Sequence, residues 1–155
     1  MRNQRKLLIE QLDRKMKAFH GTELVIVPEA GWINGIRKTI NITLEQLGKK
    51  IGITRQGVKR IEESEAAGTI TLNSLREVGN ALDMKLIYGF VPKDGSFSNL
   101  IERKSRELAE KIVRRTNHNM MLENQEIYGD SLNIAIDDLT LEIKSEIKKA
   151  IWDSI

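Results

Sequence analysis

The sequence predicts a mainly α-helical protein: a compact helical group with an N-terminal helix, one or two short β-strands and long C-terminal helices. Three observations predict it. Apolar residues recur at three- and four-residue steps along most of the chain. Only 5% of residues are aromatic against 40% hydrophobic, so the core must be built mainly from Leu, Ile and Val. Helix-starting threonines and helix-ending glycines punctuate the stretch from Thr43 to Leu72.

Taken in order, residues 3–18 lead with Leu8, Leu12, Met16 and Phe19 at helical spacing, charges between them, and predict an amphipathic helix. After Gly21, Glu23–Pro28 (E-L-V-I-V-P) is short, β-branched and closed by proline, which predicts a strand. Helices follow from Trp32 to Leu82. Met84–Pro92 (M-K-L-I-Y-G-F-V-P) is the second strand candidate, and the two strands pair either with each other or across a dimer. Asp94-Gly95-Ser96 is the clearest turn. A helix is expected from about Phe97 to Leu122. Leu132, Ile136, Leu139, Ile143, Ile147 and Ile151 then form one stripe. The stripe completes this chain's own core or forms a dimer or partner interface. These readings divide the chain into 1–31, 32–83 and 84–155.

Composition excludes several classes. Without cysteine there is no disulfide framework, Cys-ligated zinc or thiol nucleophile. His20 and His118 are the only histidines and have no evident carboxylate spacing for a metal. No Gly-rich phosphate loop is present, and G-W-I-N-G reads as the start of a helix. An enzyme is therefore discounted, and neither cofactor nor metal is expected. No apolar run approaches the roughly 20 residues of a membrane span, so a cytoplasmic protein is expected.

The net charge of +3 is unevenly distributed. Residues 32–64 carry +4 and 96–118 carry +3, whereas 119–155 carry −5. The later basic block fits a solvated helix face. The earlier one coincides with T-L-E-Q-L-G-K-K-I-G-I-T-R-Q-G-V-K-R-I-E, Thr43 to Glu62. Thr43 and Gln46 make a T-x-x-Q capping box. Gly52 sits where a left-handed residue ends the first helix, and Thr54 caps the second. Gly48 supplies the small residue that two steeply crossing helices need. Leu47, Ile51, Ile53, Val58 and Ile61 form the inward face.

Arg55, Gln56, Lys59 and Arg60 are left on the outer face. Arg and Lys match guanine acceptors, and Gln can bond adenine bidentately. An ordinary helical hairpin with a basic face lacks this agreement of caps, glycines and apolar positions. The stretch is thus read as a helix-turn-helix of the repressor/Cro type. Before it lies a helix with Trp32, Ile33, Ile36 and Ile40, on which Arg37 and Lys38 are expected to be exposed. After it lies a capped helix with Leu72, Leu75, Val78 and Leu82, the helix order of that class. Expected DNA contacts are Thr43, Gln46, Lys49, Thr54, Arg55, Gln56, Lys59 and Arg60. Leu44 departs from the class, in which glutamine commonly follows the first cap; Gln46, Lys49 or Lys50 substitutes for it. Gly57 costs the second helix about 1 kcal/mol against alanine, in exchange for close approach to DNA or for packing.

A wider resemblance covers most of residues 5–125. L-L-I-E-Q-L-D-R-K (Leu7–Lys15), G-W-I-N-G-I-R (Gly31–Arg37), G-I-T-R-Q-G-V-K-R-I-E-E-S-E-A-A-G-T-I-T-L (Gly52–Leu72) and the M-K-L-I-Y-G-F-V-P segment resemble the mobile mystery protein A family. Its members are encoded on mobile elements beside a Fic-domain protein, mobile mystery protein B. The resemblance implies a regulator, and an antitoxin, for a Fic-domain partner. Fic enzymes are held inactive by a helix bearing S/T-x-x-x-E-G/N, whose glutamate pairs with an arginine needed for the ATP γ-phosphate. Glu123-Asn124 is the only Glu followed by Gly or Asn here, with Asn119 where the motif has Ser or Thr. The expected function is a dimeric, sequence-specific double-stranded DNA-binding repressor autoregulating an operon with a Fic-domain partner. The alternative is an antitoxin that inhibits that partner through the C-terminal helices.

Overall fold

A computed structural model describes residues 2–125 and 127–153. The chain is mainly helical and divides into two compact units. One combines Met1–His20 with Phe90–Ile155, and the other is Gly21–Gly89. The sequence boundaries at 31/32 and 83/84 both fall inside the second unit.

The first unit contains α1 (Arg2–Met16), α6 (Phe97–Leu122) and α7 (Asp130–Glu146). The helix α6 starts at Ser96, whose hydroxyl accepts from the Asn99 N–H at 3.0 Å. Asp13 of α1 adds a second cap: its carboxylate accepts from the N–H groups of Phe97 (2.7 Å) and Ser98 (3.3 Å) and from the Ser98 hydroxyl. An anionic group at a helix N-terminus satisfies orphan donors and complements the helix dipole. This ties α1 to α6 across 84 residues of sequence.

The stripe on the last helix completes the chain's own core. Ile136 and Ile143 are buried with Ile101, Ala109 and Ile151, while Leu132, Leu139 and Ile147 pack on them. The helix does not run the length of the stripe. It stops at Glu146, and Ile147 takes a left-handed conformation (φ 49°), costly for a β-branched residue. A short 3-10 turn, Lys149–Trp152, then folds Ile151 completely out of water. Burying one isoleucine is worth about 1.5–3 kcal/mol, enough to offset that strain.

The second unit contains α2 (Trp32–Thr39), α3 (Leu44–Ile51), α4 (Arg55–Ala66) and α5 (Leu72–Ala81). Its core is Ile33, Leu47, Val58, Val78 and Leu82, with Leu44, Ile51, Ile61, Ile70 and Leu75 packed around them. Thr71 caps α5 by accepting from the Ser74 N–H at 3.1 Å.

The two expected strands are not formed. Among the described residues there is no β-ladder; Thr22–Leu24 is a 3-10 turn, and Met84–Pro92 is irregular. A strand exists only when a neighbour lies about 4.8 Å away to pair with its peptide groups. β-Branched composition expresses a preference for that setting and cannot supply the neighbour.

Candidate nucleic-acid interface

Helices α3 and α4 are joined by a three-residue turn, Gly52-Ile53-Thr54. The caps and glycines read from the sequence each have a structural counterpart, whereas Ile53, expected on the inward face, stays partly in solvent. The Thr43 hydroxyl accepts from the Gln46 N–H (3.1 Å), and the Gln46 side-chain oxygen accepts from the Thr43 N–H (2.8 Å). Gly52 is left-handed (φ 83°) and donates its N–H to the Gly48 carbonyl at 2.8 Å. Thr54 caps α4 by accepting from the Gly57 N–H at 3.1 Å.

Gly48 is buried, and a Cβ there would lie 2.7 Å from the Ile53 carbonyl oxygen. That neighbour is backbone, so only glycine lets the turn close over α3. A Cβ at Gly57 would lie 3.3 Å from the Ile53 side chain, a tight contact that favours a small residue beside the turn.

The back of α4 is held to α2 by two carboxylates one helical turn apart. Glu65 accepts from the N–H groups of Trp32 and Ile33, each at 2.9 Å, and so caps α2 from a distance. Gly31 takes a positive φ (83°) that side chains rarely adopt, and a Cβ there would also crowd the Glu65 carboxylate at 2.7 Å. Glu62 accepts from Arg37 Nε (2.5 Å) and Nη2 (3.3 Å) and from the Asn34 amide (2.7 Å). Arg37 Nη1 donates to the Ile42 carbonyl at 3.0 Å. Arg37 is therefore not the exposed residue that the sequence suggested; it is buried, with 9% of its surface accessible. It lies one turn after buried Ile33, on the inward face of α2.

Burial pushes the Glu62 carboxyl up, but hydrogen bonds from Arg37 and Asn34 and the charges of Arg37 and Lys38 outweigh this. Its pKa is lowered from the ordinary glutamate value. The ion pair is ionised at neutral pH.

With that face clamped, Arg55, Gln56, Lys59 and Arg60 of α4 are all exposed, as are Thr43, Gln46 and Lys49 around α3. Lys59 lies 3.9 Å from Glu63 and Lys49 lies 3.4 Å from Glu45, both exposed pairs that water weakens. Thr43, Gln46 and Thr54 spend their side-chain oxygens on capping.

Leu44 packs on the core, so it offers no hydrogen bond outward. What stands beside it is a polar cleft of about 480 Å³, lined by Lys38, Asn41, Thr43, Leu44, Glu45 and Arg55 along with Arg37 and Ile42. The cleft joins the start of α3, the start of α4 and the end of α2. Asn41 was not among the expected site residues. Its left-handed backbone (φ 59°) is a turn signal that N-I-T after a helix could have given.

Glu123 and Asn124 belong to the other unit. Glu123 is the C-cap of α6, and Asn124 is left-handed (φ 56°). Among the described residues, no group of His, Asp and Glu is arranged to hold a metal ion. Among the described residues, no helix is long and apolar enough to cross a membrane. Comparison with protein-family models, with curated proteins and with solved structures finds no match.

Proposed function

We propose that this chain is a repressor/Cro-type helix-turn-helix protein that binds double-stranded DNA as a dimer and represses its own operon. One observation carries the reading. Helix α4 presents Arg55, Gln56, Lys59 and Arg60 to solvent, while its opposite face is pinned through Glu62 and Glu65. A rigid helix displaying Arg, Gln and Lys in sequence has the chemistry for reading base edges in a major groove. Lys38, which lines a cleft with Arg55, and Lys49 and Lys50 of α3 are exposed and offer charge for the phosphates, which fix register without specifying sequence.

A single unit of this kind reads a short half-site. Two copies on a palindrome with half-sites about 10 bp apart supply the missing specificity. Footprinting on the DNA upstream of its own gene is expected to show such a two-fold protected site. A footprint that moves freely with any sequence supplied would sink the repressor reading.

A second reading, inhibition of a Fic-domain partner, is favoured by the end of α6. In the S/T-x-x-x-E-G/N pattern the residue after the glutamate is Gly or Asn, the two types that best tolerate a left-handed backbone. Asn124 has that backbone and follows Glu123, the C-cap of α6, whose last helical residue is Leu122. Asn119 still departs from the pattern. Glu123→Gly is expected to release nucleotide transfer by the neighbouring Fic-domain protein; unchanged inhibition would reject this role.

A further inference from the structure

Two segments of the Gly21–Gly89 unit carry large apolar side chains into solvent. In the first, Leu24 is 80% and Ile26 87% exposed; in the second, Ile87 is 71% exposed. Neither belongs to a sheet. Among the described residues, the backbone groups of Ile26 and Val27, and those from Lys85 to Gly89, make no hydrogen bond.

The second segment is nonetheless held in place. Met84 donates its N–H to the Gly79 carbonyl at 2.8 Å, and the Arg76 guanidinium lies 5.7 Å over the Tyr88 ring. It is an irregular segment held beside α5, and its peptide groups from Lys85 to Gly89 are unpaired. Pro28 and Met84, one from each segment, also line an apolar groove of about 370 Å³ with Trp32, Gly35, Ile36 and Ile40. This largely apolar groove brings the two segments together at Pro28 and Met84, and with them makes up one face.

We propose that this face docks a second copy of the chain, with Lys85–Gly89 pairing antiparallel to the same segment of that copy across a two-fold axis. The proposal deepens the dimeric part of the DNA-binding reading and rests on it. Unpaired peptide groups around the exposed Ile87 and Tyr88 can be satisfied by another chain's backbone, and two-fold symmetry makes one sequence its own partner. With the axis at Ile87, Leu86 stands opposite Tyr88 and Lys85 opposite Gly89. No like charges face each other, and apolar residues meet at the centre. A standard interface covers about 800 Å² on each partner. Leu24, Val25, Ile26, Val27, Trp32 and Ile87, each 40–87% exposed, supply a surface of that order.

The test is sedimentation of the full chain over a hundredfold concentration range, together with amide hydrogen exchange. A reversible monomer–dimer equilibrium is expected, with exchange at Lys85–Gly89 slowed only where dimer is populated. Ile87→Lys and Ile26→Lys should each weaken self-association at least tenfold. Both should melt as the wild-type monomer does, because these side chains already face water. A chain that stays monomeric overturns the proposal, as does a dimer untouched by both variants. Protection of Lys85–Gly89 that appears only when another protein is added also overturns it. Binding to a duplex holding one half-site separates the two readings. Absent self-association beside intact half-site binding rejects the docking surface alone, whereas self-association without any DNA binding rejects the DNA reading alone.

Discussion

Glu62→Ala is expected to destabilise the Gly21–Gly89 unit by about 3–5 kcal/mol, the usual loss when one partner of a buried ion pair is removed. The loss arises because Arg37 stays behind, buried and charged, with only the Ile42 carbonyl left to accept from it. Asn34 loses its acceptor in the same step. Denaturant unfolding followed at Trp32, whose N–H is bound by Glu65 at the same helix junction, reads the change directly. A loss below about 1 kcal/mol would show that the pair is solvated in solution, as exposed pairs are. Replacing both charges together, Arg37→Met with Glu62→Leu, is expected to be far milder, because no unpaired charge remains.

The same pair sets an acid limit. The folded Glu62 pKa lies below its unfolded value, so its contribution to stability is fully present above the ordinary glutamate pKa. That contribution is lost as pH falls through the lower, folded value. Stability of this unit should fall below about pH 4.5, and the fall should be absent in the Arg37→Met, Glu62→Leu double variant. The consequence reaches function, because Glu62 and Glu65 set how α4 stands on α2. Loss of the clamp loosens the helix that displays Arg55, Gln56, Lys59 and Arg60.

The second large effect concerns those residues. Arg55→Ala and Gln56→Ala are each expected to remove about 1–3 kcal/mol of discrimination between operator and unrelated DNA, and to leave nonspecific binding nearly intact. Lys49→Ala should weaken binding to all sequences and lower the slope of log affinity against log salt by about one. These differences follow from position. Arg55 and Gln56 open α4, where a recognition helix meets base edges, whereas Lys49 lies on α3. Titrations of operator and scrambled duplexes at several salt concentrations check the assignment. Equal loss of specific and nonspecific affinity in all three variants would contradict it. All three side chains are exposed, so an effect on DNA without a change in melting temperature isolates binding from folding.

The local grammar of α3 and α4 was legible residue by residue. Capping threonines, a left-handed glycine and an apolar face act over three or four residues, within the reach of pattern reasoning. Gly48 was legible for the same reason: two helices joined by three residues must approach closely somewhere near the turn. The clamp was not legible. Glu62 and Glu65 look like two more acids in E-E-S-E, and Arg37 like one more exposed base. Their partners lie 25 to 33 residues away, and only the packing of α4 on α2 turns them inward. One clue existed, since Arg37 falls four residues after Ile33 and so shares its buried face.

The failed strands show the opposite limit. V-I-V and L-I-Y have strand composition, but one chain offers them no neighbour, and pairing is not a local property. The isoleucine stripe lies between these cases. Its period correctly marked a buried face, yet period alone could not say what would cover it. By itself, then, the sequence determined the helices, their caps and which residues face outward on α4, because those depend on backbone sterics and spacing along one helix. The tertiary structure decided that the stripe seats in its own core and that Arg37 is a buried partner of Glu62. It also left the two expected strands without a partner, because each outcome depends on which distant surface arrives beside a residue.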